Sequence, residues 1–329
     1  MCLFIDKKDW FVAKKDITCY KVLEGNEKDG YRTPSQDWPV KPGTTLIPDE
    51  SSPVIEENGF KYELGAGVIH AYTGIVEVSG SHIFKAIIPE GTKFWIQSDL
   101  TEVAAEKLIL TTEELTSGKC LPDLKDHLTP KLKVYTSAGE ITEVGKVSGS
   151  DILGVVTSDG KIVGAEVSER MYFSESNPRY NGKTYNKPFE DMDGLGNCAE
   201  IKEKSAGKLL TIEWAESKGG YLPSSGELKE AFMELFEINS VLVMAGKKPI
   251  MSDRYFWTSS MKSSESIWVC NGDGRYDWGS WRYYDWDGYY VLPFLSSSLE
   301  NKMQEKGAKS LNDGAKKLTV WERLKTLYM

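Results

Sequence analysis

The sequence predicts an α+β protein of 329 residues, with a mostly-β N-terminal part followed by a part that carries helices as well as strands. Three observations predict this. His82 to Ile88 (HIFKAII) is a strand-forming run stopped by Pro89-Glu90-Gly91. Ile152 to Val156 and Ile162 to Val167 flank Ser158-Asp159-Gly160, a turn that wants positive φ, and so read as a hairpin. Ser224 and Glu227 have capping-box spacing, and Leu228, Phe232, Leu235 and Phe236 follow at helical intervals. Strands in a run, then helices, is the α+β pattern.

Composition narrows the class. The length suits two domains with cores of their own, and 40% hydrophobic with 27% charged residues is ordinary for a soluble protein. A formal net charge of −9 argues against nucleic acid as a partner, which would need a basic face. Met1 to Val12 lacks an apolar run of signal-peptide length, and no window approaches the roughly 20 apolar residues of a membrane span. The expectation is a chain made in the cytoplasm, unless a particle carries it elsewhere. Cys2, Cys19, Cys120, Cys198 and Cys270 are odd in number and lack CxxC spacing, which favours buried thiols over disulfides or zinc.

In the first domain, residues 1–117, Asp16 to Glu24 alternates as a strand and Glu24-Gly25-Asn26 supplies a turn. Tyr31 to Pro53 reads as irregular. Gly67 to Val78 is a candidate strand pair around Thr73-Gly74, and Thr92 to Ile96 and Ala105 to Leu110 continue the β pattern. His70 and His82 read as histidines satisfied by local hydrogen bonds. Residues 118–130, polar and rich in proline, form the expected linker, with His127 exposed.

In the second domain, residues 131–298, Asp191 to Asn197 has some calcium-loop character. Counting from Asp191, however, it has no oxygen ligand at the fifth position and no glutamate at the twelfth. It reads as the turn that opens the next helix. Cys198 to Lys218 gives one helix or two short ones, ended by Gly219-Gly220, and Ile238 to Ala245 gives another, stopped by Gly246. Tyr255 to Ser260, Ser266 to Asn271 and Tyr289 to Leu295 read as strands.

Trp278 to Tyr290 stands apart, with seven aromatics in thirteen residues interleaved with Asp, Arg, Ser and Gly. Burying Asp277, Arg282, Asp285 and Asp287 without partners would be costly, and a disordered linker would be poor in Trp and Tyr. Rigid amphipathic rings beside small adaptable polar groups are the chemistry of a paratope. Trp257, Trp268, Tyr290 and Phe294 lie on strand-like framework and are expected in the core. Tyr276, Trp281, Tyr283, Tyr284 and Tyr289 are expected outside.

Several motifs carry a family resemblance: Gly220-Tyr221-Leu222-Pro223-Ser224 with Gly226-Glu227-Leu228, Tyr255-Phe256-Trp257-Thr258-Ser259-Ser260, Ile267-Trp268-Val269, and Tyr289-Tyr290-Val291 with Pro293-Phe294. Together they resemble the C-type-lectin-fold domain of variable proteins from diversity-generating retroelements, which is similar in fold to the formylglycine-generating-enzyme family. The opening Met1-Cys2-Leu3, the ITCYKVL run and the KAIIPEGTKFW block resemble a small N-terminal domain of proteins from gut Bacteroides and their phages. The resemblance implies a ligand-binding surface diversified by adenine-directed mutagenesis. Carried over by position, it comprises Ser263, Ser264, Ser266, Asn271, Asp273, Arg275, Tyr276, Asp277, Trp278, Ser280, Trp281, Arg282, Tyr283, Tyr284, Asp285, Asp287 and Tyr289.

The chain departs from that family's pattern in several ways. Ser296 to Met329 follows the variable segment, which in the family lies near the chain end. No Glu-Pro-Asn or Trp-Asn-Asp motif of calcium-dependent sugar-binding lectins is present, and Cys270 has no cysteine nearby to make a redox pair. No histidine follows His127, which excludes a histidine-based triad in this domain. No cofactor, metal or catalytic residue is therefore expected.

Residues 299–329 form a basic tail in which Leu318, Trp321, Leu324 and Leu327 predict an amphipathic helix, docked on the protein, on a neighbouring subunit or on a particle. The expected partner is a protein or glycan on a cell surface, with homo-oligomerisation and virion attachment both open. Two other readings stand beside this one. Ile87 to Phe94 with Ser98, Glu102 and Glu106 resembles the late strands of ADP-ribosyltransferase folds, which would make the N-terminal half an enzyme and the lectin-fold part its targeting module. The other is an undiversified structural protein of a phage.

Overall fold

The structure is a computed structural model that describes residues 3–6, 10–33, 38–48, 53–58, 61–73, 81–115, 128–175, 180–205, 207–280 and 289–296. These residues are mostly β, with four α-helices among them. No helix among them is long and apolar enough to cross a membrane.

Residues up to Leu115 build an antiparallel ten-stranded sheet around the pairing of Ile17–Asn26 with His82–Ile88, in register from Ile17↔Ile88 to Leu23↔His82. Ile17, Cys19 and Leu23 alternate inward with Phe84, Ala86 and Ile88 to make the core, as a period of two requires. On one side of this pair follow Ile69–Tyr72, Glu102–Ala105, Lys93–Ile96 and Phe11–Val12. On the other lie Leu108–Leu115 and Thr45–Leu46. A separate three-stranded sheet joins Leu3–Ile5, Lys61–Leu64 and Ile55–Asn58.

Several sequence expectations shift here. The first strand runs on to Asn26 because Gly25 takes a φ of +109°, and the oxygen of Gly30 sits only 2.2 Å from where a Cβ would be. The turn falls at 27–29, where Asn26 Oδ1 accepts the amides of Lys28 and Asp29 at 2.9 Å each. The stretch read as irregular holds the short strands Pro39–Val40 and Thr45–Leu46. Ala105 to Leu110 is broken at Glu106-Lys107 into the ends of two strands. His82 pairs with Glu114, but both ring nitrogens of His70 lack a hydrogen-bond partner among the described residues. Burial, then the Lys21 ammonium, pushes His70 down to about 4, so its ring is neutral at physiological pH. The 74–78 half of the predicted strand pair, linker residues 118–127 with His127, Cys2, Cys120 and the tail helix lie outside the described residues. Cys19, Cys198 and Cys270 are buried and free, and burial raises all three thiols.

From Lys133 onward a six-stranded sheet runs in the order Ile141–Thr142, Lys133–Thr136, Ile152–Val156, Ile162–Gly164, Phe294–Leu295, Gly220–Tyr221. The predicted hairpin is there, with Gly160 at φ +87° in its turn. The predicted strand Tyr289–Leu295 shrinks to Phe294–Leu295, while Tyr289 and Tyr290 make single bridges to Met171 and Phe256. Between the sheet's strands come α1 (Gly194–Lys204), α2 (Leu210–Ser217), α3 (Ser225–Met233) and α4 (Leu235–Met244). Asp193 caps α1 by accepting the amide of Gly196, so the calcium-like run does open a helix. The Ser224/Glu227 capping box forms as its spacing predicts. A second three-stranded antiparallel sheet, Tyr255–Ser263, Ser266–Asn271 and Tyr276–Ser280, completes this half.

The two halves meet at the break between α3 and α4. Lys61, 1% exposed, forms an ion pair with Asp6 and donates to the carbonyl of Phe232 at the end of α3. Asp6 accepts the amide of Phe236 in the first turn of α4 at 2.7 Å. A cation thus meets a helix C-terminus and an anion meets the next N-terminus, which suits both dipoles and satisfies end groups that lack partners within the helix. Around this pair, Phe11 packs on Phe236 at 5.6 Å, Asn239 Nδ2 donates to the carbonyl of Ser98 at 2.9 Å, and Ser252 Oγ donates to Asp99 at 2.9 Å.

Removing one partner strands the other as a buried charge. Lys61→Met is therefore expected to cost about 3–5 kcal/mol of folding free energy. Adding Asp6→Asn to it should recover part of that loss. Urea unfolding of the two single variants and the double variant measures both, and a double-variant loss equal to the sum of the two single losses would show no coupling.

Candidate ligand-binding surface

The sheet Tyr255–Ser263, Ser266–Asn271 and Tyr276–Ser280 carries the candidate surface. Its first two strands are framework. Phe256, Trp257, Met261, Ile267, Trp268, Val269 and Cys270 are all buried. Trp257 Nε1 donates to the carbonyl of Met171 and Trp268 Nε1 to that of Tyr185, both at 2.9 Å. Thr258 Oγ1 donates to the carbonyl of Trp268 at 2.6 Å, across the bulge that lies between Trp257 and Met261.

The third strand is different. Arg275 before it and its residues 276–278 are all exposed, and Tyr276 and Trp278 leave 53% and 50% of their surface to solvent. Trp278 pairs with Trp268 across the ladder and Tyr276 with Cys270, so both rings stand on one face. Asp277 points to the other face, where its Oδ1 accepts the amide of Trp278 at 2.8 Å. Among the described residues this strand is the edge of its sheet, and the bond occupies one of its outward backbone donors. Gly279 is required: a Cβ there would come within 2.6 Å of the Trp257 ring.

Ser264 is exposed, while Ser263 and Ser266 are half-buried around the tight turn between the first two strands. Arg275, Tyr276, Asp277 and Trp278 are exposed as expected. Asn271 and Asp273 are buried, which departs from the surface role expected of them. Asn271 Oδ1 accepts the amide of Arg275 at 2.9 Å and shapes the turn into the third strand, and the amide of Asp273 donates to the carbonyl of Ser252 at 3.1 Å. Tyr289 is half-buried rather than free, edge-on to Trp257 at 4.8 Å. Tyr290, expected in the core, is half-buried with Arg254 over its ring at 4.4 Å. The side chain of Ser280 and the whole of Trp281, Arg282, Tyr283, Tyr284, Asp285 and Asp287 lie outside the described residues.

Three contributors went unnoticed in the sequence. Lys262 lies 4.9 Å from the Trp268 ring centre and 4.3 Å from that of Trp278. Phe189 packs edge-on to Tyr276 at 5.3 Å, and Lys229 of α3 lies 5.4 Å from the Phe189 ring. Lys262 had a faint signal as a polar residue after the apolar Met261. Phe189, in a stretch without periodicity, had none.

A cavity of about 340 Å³ opens beside α1, lined in part by Lys183, Tyr185, Asp191, Asp193, Asn197 and Glu200. Its floor is already committed. Asp191 accepts from Asn197 Nδ2, from Ser260 Oγ at 2.6 Å and from the amide of Asp193 at 3.2 Å. No group of three metal-ligating side chains occurs among the described residues.

In the N-terminal half, Glu102 opens the strand Glu102–Ala105 and Glu106 follows its end, about 13 Å away at Cα. Glu106 is within 3.9 Å of Lys93. Glu102 is pushed up to about 7, chiefly by burial and then by Asp99, with Asp273 adding to the effect.

No family model matches the sequence, and no curated protein matches it. Among solved structures, a fimbrial protein from Bacteroides ovatus is similar at 11% identity over 84% of this chain, with a TM-score of 0.38. The chain covers 63% of that protein.

Trp268→Ala should cost about 3–5 kcal/mol of stability, as for a core ring, and Trp278→Ala far less, as read by urea midpoints. Because Glu102 is held above its ordinary value of 4.5, the native state binds more protons than the unfolded state between pH 4.5 and about 7. Its contribution to stability is thus present below that window and is lost as pH rises through it. Glu102→Gln should flatten the fall in stability between those pH values, and an unchanged slope would assign the fall to other groups.

Proposed function

We propose that the protein is a non-enzymatic recognition protein whose surface between Ser263 and Tyr289 binds a protein or glycan ligand. The observation that carries this is the half-exposed pair Tyr276 and Trp278 on a strand fixed by a buried framework. Rings of this kind offer large contact area with few rotatable bonds, so little entropy is lost on binding. Their neighbours Arg275, Asp277 and Ser264 are exposed polar groups suited to setting specificity. Asn271, Asp273 and Tyr289 act in this reading as supports for the surface rather than as contacts.

The scaffold is read as a C-type-lectin-type domain and the surface as one diversified by a retroelement. Supporting the first is the return of the last described strand, Phe294–Leu295, to pair with Ile162–Gly164 near the start of this half. The helices and the aromatic sheet are thereby enclosed between the two. Supporting the second is the contrast within the sheet, where the first two strands are fixed by packing and the third carries substitutable side chains. Carriage on a phage particle would bring such a surface to a cell.

The test of diversification lies in the flanking DNA. A near-copy of the codons for residues 261–294, beside a reverse-transcriptase gene and differing almost only at adenines, is expected. Absence of any such copy leaves a fixed binding surface and removes the retroelement. For the surface itself, once a ligand is selected from a cell-surface display library, Tyr276→Ala or Trp278→Ala should each weaken binding by about 2 kcal/mol with little change in stability. Unchanged affinity in both would place the contacts elsewhere.

A further inference from the structure

We infer that the partner of this surface is an acidic stretch of polypeptide, a conclusion that rests on the binding role proposed for Tyr276 and Trp278. The rings and cations here form one ladder. Lys229 lies over Phe189 at 5.4 Å, Phe189 meets Tyr276 at 5.3 Å, and Tyr276 meets Trp268 at 6.0 Å. Lys262 then lies between Trp268 at 4.9 Å and Trp278 at 4.3 Å. An ammonium group therefore stands at each side of the exposed pair.

Among the described residues, neither Lys229 nor Lys262 has a carboxylate in salt-bridge range. Glu190, next to Phe189 in the chain, is taken up by Lys187 at 3.2 Å. Asp277, the acid nearest in sequence to both exposed rings, faces the other side of its strand and is engaged by the Trp278 amide. In a chain with a net charge of −9, two lysines held over rings and left without acids are a local reversal of sign.

A cation over a ring keeps its outer side hydrated and open, so an incoming carboxylate gains an ion pair while the adjacent ring covers its apolar part. Complementary charge of this kind sets partner choice and encounter rate. Lysines are point charges and impose no bidentate geometry, which suits Asp and Glu side chains of varied spacing more than one fixed phosphate. Open aromatic rings with Ser, Asp and Arg around them match a polypeptide partner.

The test uses the full chain and three polymer probes: a random copolymer of glutamate and tyrosine, one of lysine and tyrosine, and polygalacturonate. The acidic copolymer is expected to bind, and to bind more weakly at about 300 mM than at about 50 mM NaCl as screening increases. Lys262→Glu and Lys229→Glu should each weaken it roughly tenfold, while Lys262→Arg retains binding. Urea midpoints of each variant confirm that the fold is intact. No binding of the acidic copolymer, preference for the basic one, or tighter binding of polygalacturonate would overturn the assignment, the last in favour of an acidic glycan. If Tyr276→Ala and Trp278→Ala weaken binding but the lysine reversals do not, the charge assignment fails and the binding surface stands. If none of the four matters, the binding surface itself fails.

Discussion

The fold depends on one ion pair at the seam between its halves. Lys61 and Asp6 are buried together where α3 stops and α4 starts, and each satisfies a helix end as well as its partner. Neither Glu234 nor any other local side chain caps α4, so its first turn relies on a carboxylate 230 residues away. With α4 fixed against the N-terminal sheet, Asn239 holds Ile250 by two hydrogen bonds and the chain enters Ser252 in a set position. Ser252 binds Asp99 on one side and the amide of Asp273 on the other. The turn that launches Tyr276 is thus braced by the N-terminal half.

A second constraint organises the C-terminal half from within. Glu227 is 4% exposed, and its carboxylate accepts the amides of Ser224 and Gly194, the phenol of Tyr221 and an ion pair from Lys161. One side chain thereby caps α3, holds the start of α1 and ties the six-stranded sheet to both. Asp191 does similar work between α1 and Ser260 of the aromatic sheet. Buried networks of this kind are stabilising only when every member is satisfied, which is the case for these two carboxylates.

The consequence for the surface is rigidity where it matters. Trp257 and Trp268 donate their indole hydrogens to carbonyls in the segment before α1, so the sheet is bonded on both faces. Tyr276 and Trp278 then project from a strand that has little freedom of its own. A partner meeting these rings would order few side chains, which is the condition under which exposed aromatics contribute most to binding. The lysines over Phe189, Trp268 and Trp278 restrain the rings further while keeping their charge toward water.

The sequence by itself determined the features governed by near neighbours. The capping box at Ser224, the hairpin around Gly160, the strand His82–Ile88 and the burial of Trp257, Trp268 and Phe294 all follow from spacing, turn chemistry or alternation within a dozen residues. It also marked Tyr276 as exposed, from the charges and glycines beside it, while Trp278 was placed on the surface by the family resemblance. It missed the strand that carries them, since residues 275–278 are exposed on both faces and so show no apolar–polar alternation. Only the tertiary structure decided that Asn271 and Asp273 turn inward, that Tyr289 packs on Trp257, and that Lys229, Phe189 and Lys262 join the surface. It alone paired Asp6 with Lys61 and placed both at a helix break far along the chain. Such pairings are fixed by the desolvation of charges and rings against distant partners, and no local pattern in the chain records where those partners will be.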